Sequence, residues 1–230
     1  MKLIATITTA LLCAVQQPAA ADCLDTASAG LRTPGGRLAA SFTPSIVDGR
    51  TALKASPKAA GTDALVILPL GDIVDGEITL RLRSELRPDA SPDARGFAGL
   101  AFRVAGDARA FEYFYVRPAN ARASSQVRRN HSLQYASHPD HPWEVLRKAE
   151  PEKYESYADM ALGEWITLRA VVRGRSAQFY VNGAQQPSLV VEDLKLAPAA
   201  GSVGLWVGPG TVAHFADVCV LRRDGLDPRT

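Results

Sequence analysis

The stretch Trp165-Ile166-Thr167-Leu168-Arg169-Ala170-Val171-Val172-Arg173-Gly174-Arg175-Ser176-Ala177-Gln178-Phe179-Tyr180-Val181-Asn182-Gly183 decides the fold. Ile166, Leu168, Ala170 and Val172 recur at every second position, the period of a strand with one buried face. Ala177, Phe179 and Val181 repeat that pattern after a turn centred on Gly174. Asn182-Gly183 closes the second run. This pair is a strong local hairpin signal, because both central residues of a type I′ turn need positive φ.

The same pattern extends in both directions. Upstream, Glu77–Arg83 alternates strictly. Phe97–Val104 is a short apolar run beside Gly96 and Gly99, and Phe111–Arg117 is an aromatic run stopped by Pro118, which cannot donate to a ladder. Downstream, Ser202–Gly208 and Val212–Leu221 flank the turn Gly208-Pro209-Gly210. Many short strands punctuated by turns, with few helix signals, predict an all-β jelly-roll sandwich of two antiparallel sheets. Its core should include Leu80, Leu82, Ile166, Leu168, Val172, Phe179, Val181, Leu205 and Val207.

Composition agrees with a globular domain and removes other classes. The 230 residues are 47% hydrophobic and 22% charged, which excludes a disordered chain or a collagen-like repeat. The 26 basic residues nearly cancel 24 acidic ones, so no nucleic-acid partner held by bulk charge is expected. At the start, Lys2, the apolar run Leu3–Val15 and the small residues Pro18-Ala19-Ala20-Ala21 have the form of a secretory signal peptide over 1–21. Residues 22–230 then form a single domain, exported or periplasmic. No apolar run reaches the length of a membrane span. Removing Cys13 with the signal leaves Cys23 and Cys219, a candidate disulfide in an oxidising compartment.

One segment departs from the strand pattern. Pro118–Gly163 shows no convincing alternation and reads as a long, loop-rich insertion over one sheet face, with a helical turn near Tyr154–Met160. Loops this long inside a compact domain are usually functional when rich in aromatic and polar groups. Arg117, Arg122, Arg128, Arg129, Arg147 and Lys148 face only Asp140 and Glu144 in sequence. That excess suits an acidic glycan, or else pairs with Glu150, Glu152, Glu155 and Asp159 downstream. His131, His138 and His141 cluster, but two precede proline and no cysteine is near, so no metal site is expected.

Gly163-Glu164-Trp165, Tyr180-Val181-Asn182-Gly183, Gly201-x-Val203-Gly204-Leu205-Trp206 and Phe215-x-Asp217-Val218-x-Val220 together resemble the concanavalin A-like lectin/glucanase superfamily. Within it they are similar to laminin-G-like and 3-keto-disaccharide hydrolase-type domains. The resemblance implies a jelly roll that binds carbohydrate, with hydrolase or lyase chemistry on keto-glycosides, or alternatively a non-catalytic recognition module for protein or cell-envelope surfaces. The paired-carboxylate strand of the superfamily's glucanases is missing, since Glu112 is the only acid in Phe111–Arg117. For catalysis the candidates are Glu112 as acid and His131 as base. For ligand contact they are Tyr115, Arg117, Asn120, Arg128, Arg129, Asn130, Gln134, Tyr135, Trp143 and Tyr157, whose forks, amides and ring faces suit sugar hydroxyls and C–H surfaces. Tyr113, Tyr115 and Arg117 share one face of their strand and Glu112, Phe114 and Val116 the other, so the binding assignment ranks above the catalytic one. No cofactor is expected, and the sequence leaves oligomeric state open.

Overall fold

The structure, a computed structural model, describes residues 20–25 and 30–223. Most of the expected signal peptide lies outside the described residues. The strands are β1 (Asp22–Cys23), β2 (Ala40–Val47), β3 (Arg50–Pro57), β4 (Ala64–Ile73), β5 (Gly76–Leu86), β6 (Ala98–Val104), β7 (Phe111–Val116), β8 (Leu133–His138), β9 (Glu155–Ser156), β10 (Ile166–Arg173), β11 (Ser176–Val181), β12 (Leu189–Val191), β13 (Gly201–Val207) and β14 (Thr211–Arg222). Helices α1 (Pro118–Ala121), α2 (Gln126–Asn130) and α3 (Trp143–Ala149) are short, as is a 3-10 turn at Gly36–Leu38. None among the described residues is long and apolar enough to cross a membrane.

The strands form two antiparallel sheets. One runs β12-β11-β10-β5-β14-β3-β2, with β1 paired to β14, and the other runs β4-β13-β6-β7-β8-β9. This is the jelly-roll sandwich that the alternation predicts. In the first sheet Leu168 stands between Leu80 and Val181, so the apolar positions of three strands meet in one row. All nine expected core residues are buried. Phe179 of β11 stacks on Phe114 of β7 at 4.3 Å between ring centroids, which joins the two sheets across the core. The Asn182 and Gly183 backbones both adopt positive φ, 52° and 71°, as the hairpin signal requires.

The Pro118–Gly163 segment is more ordered than its sequence suggests. Leu133–His138 extends the second sheet as β8, paired along its whole length with β7. Tyr154–Met160 contains β9 and no helix, a correction to the expected helical turn. The sequence concealed β8 because the strand is buried on both faces: Gln134 and Ser137 are buried polar residues among apolar ones, which erases the alternation.

At the ends of the domain, Cys23 and Cys219 lie directly opposite each other on β1 and β14 and form a disulfide. Their sequence separation is 196. In the chain-entropy account a loop of this order restricts the unfolded state by roughly 5 kcal/mol, and measured values usually fall lower. Cys219→Ser is therefore expected to lose about 2–5 kcal/mol of unfolding free energy. Chemical denaturation with and without reductant checks this, since reductant should bring the native protein to the variant's midpoint.

Candidate functional site

The outer face of the second sheet carries a groove of about 410 Å³. Strand alternation builds its floor. On β13, Val203, Leu205 and Val207 are buried while Trp206 points outward, and on β7 Tyr113 and Tyr115 do the same opposite the inward Phe114. β6 lies between these strands, and in register Gly99 falls between Trp206 and Tyr115. A Cβ at Gly99 would sit 2.0 Å from the Phe114 carbonyl oxygen and 2.8 Å from Tyr115 Cβ. Glycine thus lets the rings close over it: Trp206 reaches Tyr115 at 4.6 Å and Tyr113 at 5.0 Å. Phe97 packs edge-on to Tyr115, and Trp143 at the start of α3 forms one wall. The floor rings are packed tightly, Tyr113 keeping 7% exposure and Trp206 4%.

Charged groups border the rings. Asp63, just ahead of β4, Asp93 and Glu144 of α3 line the groove with Arg37. Burial pushes the Asp63 carboxyl up to about 6. Arg37 and the Trp206 indole oppose that rise, and Glu144 adds to it. The buried Trp206 N–H has no hydrogen-bond partner. Burial also pushes the Tyr115 phenol up to about 12, so it stays protonated at neutral pH.

A polar network underlies one end of the groove. Arg117 donates to Tyr115 Oη at 2.8 Å, Gln134 Oε1 at 3.1 Å, Glu155 at 3.2 Å and the His131 carbonyl at 3.3 Å. Glu155 also receives Arg147. Burial works against the Glu155 charge, but Arg147 and Arg117 hold its carboxyl below the ordinary range. The guanidiniums of Arg117 and Arg147 lie over the Trp143 ring at 5.2 and 4.3 Å. Positioning of Tyr115 and Trp143 is therefore the work of Arg117, Gln134, Glu155 and Arg147.

The residues singled out by sequence divide among several places. Tyr115 and Trp143 line the aromatic groove. Arg117 and Gln134 are saturated by the network, and Asn120 is buried with its amide donating to the His131 carbonyl. Asn130, His131 and Tyr157 border a second, smaller depression with Glu152 and Glu155. Arg129 stacks on Tyr157 at 5.3 Å, and Arg128 is exposed on α2. Tyr135 lies inside the protein, donating to Glu112.

The acid–base pair needs correction. Glu112 is 0% exposed and accepts hydrogen bonds from Tyr135 Oη and the Leu196 amide. It anchors the 192–196 loop and opens to no cleft. Glu112 pairs with Ser137, whereas His131 lies two residues before Leu133, the partner of Val116. At about 3.3 Å per residue the two are roughly 20 Å apart along the ladder. Three of the six cations of the excess are paired: Arg122 with Asp159 and Glu164, and Arg117 and Arg147 with Glu155.

Sequence reasoning missed Asp63, Phe97, Glu144 and the outward role of Trp206. Trp206 was visible only as framework, although the shared face of Tyr113 and Tyr115 was legible. Asp63 carries no local signal, because its neighbours in the groove come from remote parts of the chain.

No family model matches the chain, and no curated protein matches it. Among solved structures, it is similar to the carbohydrate-binding module CBM66 from Bacillus subtilis, with TM-score 0.52 and 13% identity over 78% of this chain and 92% of that one. It is also similar to a Bacillus licheniformis β-glucanase, with TM-score 0.51 and 12% identity over 90% and 100%. The VIP36 exoplasmic/lumenal domain, in a Ca2+/Man2-bound form, gives TM-score 0.50 and 8% identity over 83% and 84%. At these identities the likeness is one of fold.

Asp63 supplies a test of the site's energetics. Its folded-state value lies above the ordinary 3.8, so ionisation destabilises the fold as pH rises from about 4 through 6. Asp63→Asn is expected to be more stable than the native protein at pH 7.5 by about 1–3 kcal/mol, an advantage that vanishes near pH 4. Urea midpoints across that pH range check the sign and the window.

Proposed function

We propose that this protein binds carbohydrate in the aromatic groove on the outer face of its six-stranded sheet. The carrying observation is the cluster of Trp206, Tyr113 and Tyr115, walled by Trp143 and set beside the Asp63 carboxyl. Sugars present C–H faces that pack on aromatic rings and hydroxyls that bond to carboxylates, and this groove supplies both partners at once. The fold it shares with a carbohydrate-binding module and a β-glucanase supports the same reading. Export to an oxidising compartment is part of the proposal, supported by the Cys23–Cys219 bond and the signal-like start of the sequence. Hydrolase or lyase chemistry through Glu112 and His131, on keto-glycosides or others, has no support in the geometry.

A glycan array followed by titration calorimetry on each hit tests the proposal. Trp143 is only partly buried, so Trp143→Ala should leave the melting temperature within a few degrees while weakening binding about tenfold or more. That factor corresponds to about 1.4 kcal/mol. Unchanged glycan affinity in folded Trp143→Ala would remove the groove from the proposal. Binding to a protein or envelope surface, with no glycan bound, would establish the recognition-module alternative instead.

A further inference from the structure

We infer that the groove takes a glycan bearing a free, protonated amine, its ammonium seated between the Asp63 carboxylate and the ring faces of Trp206 and Tyr113. The inference rests on the groove being the carbohydrate site and names the class of sugar it selects.

Asp63 is the first reason. It is partly buried in the groove lining, yet it enters no ion pair among the described residues. Arg37, which shares the lining, is exposed and forms no ion pair with it. Arg117 and Arg147 are held by Glu155. A shielded carboxylate without a counter-ion is costly, and a bound ammonium would remove the cost. The rise of the Asp63 carboxyl to about 6 expresses the same deficit.

The rings are the second reason. Aromatic faces attract cations through their quadrupole, more strongly when water is excluded. Here the rings, which keep a small exposed area, line the same groove as a carboxylate, a combination suited to an ammonium. Glu144, which has no ion-pair partner within 4 Å among the described residues, adds a second negative charge at the rim. A uronate would meet both carboxylates with a like charge.

The third reason is the Trp206 N–H, buried and without a hydrogen-bond partner in the groove that Asp63 also lines. It leaves a donor beside an acceptor. A 2-amino sugar offers the complement on adjacent carbons: an ammonium that donates and an oxygen that accepts. An N-acetylated sugar keeps the oxygen and loses the charge.

The test uses the mature protein and calorimetry near pH 6.5 with three probes: a β-1,4-glucosamine hexamer, its fully N-acetylated counterpart and an oligogalacturonate. The glucosamine hexamer should bind at least tenfold more tightly than the acetylated one, and the uronate should not bind. In Asp63→Asn that preference should disappear, the ratio of the two affinities falling to within about twofold of one. The formal net charge of +2 means that bulk attraction cannot produce the preference. Equal affinity for the two hexamers, a preference that survives in Asp63→Asn, or tighter uronate binding would overturn the inference. If neutral glycans bind and the amine confers nothing, this inference fails and the carbohydrate proposal stands. If no glycan binds at all, both fail.

Discussion

Everything in this molecule depends on β7 being buried on both faces. Its inward residues Phe114 and Val116 belong to the sandwich, where Phe114 stacks on Phe179 of the opposite sheet. Its outward residues Tyr113 and Tyr115 belong to the groove floor. A strand apolar on one side only could have left its outer face to water. Two apolar sides demand a cover, and Trp206, Phe97 and Trp143 supply it from β13, the strand approach to β6 and α3. The groove is the part of that cover that does not close. Groove floor and fold stability therefore draw on the same rings, and a substitution in the floor affects both.

The buried ion cluster around Glu155 follows from the same constraint. Placing Arg117 just past the end of the buried strand β7 puts a guanidinium where water is scarce, and such a charge must be paired and fully hydrogen-bonded. Tyr115, Gln134, Glu155 and the His131 carbonyl answer that requirement. The segment from Pro118 to Gly163 is the length of chain that brings these partners round. Trp143 and Glu144 are among its contributions to the groove lining.

The fold was legible wherever a strand has one wet face. In β5, β10, β11 and β14 the alternation of apolar and polar residues states which side is inside. It fails for β8, where Gln134 and Ser137 are polar and buried, and is weak for β2 and β3, whose Ala, Ser and Pro residues give little contrast. The site was legible only in part. The common face of Tyr113 and Tyr115 follows from period two alone. That Trp206 lies across from them over Gly99, and Asp63 beside it, is a matter of strand order between remote segments, which no local pattern records. Glu112 misled for a related reason: an acid within an aromatic strand has the same sequence whether it lines a cleft or anchors a loop, and here the Leu196 amide and Tyr135 hydroxyl make it an anchor.

The bond between Cys23 and Cys219 has a mechanical meaning. It joins the first and last strands of the described domain where they lie side by side. Tension applied to the chain before Cys23 and after Cys219 first loads the short outer pairings of Asp22 with Val220 and of Val220, Leu221 and Arg222 with β5, and then passes through two sulfur atoms. The chain between the two cysteines, with the groove it carries, stands outside the load path. Under oxidising conditions a pull at the ends therefore stops at the bond; once the bond is reduced, the same pull peels β1 from β14 and then works directly on the sandwich.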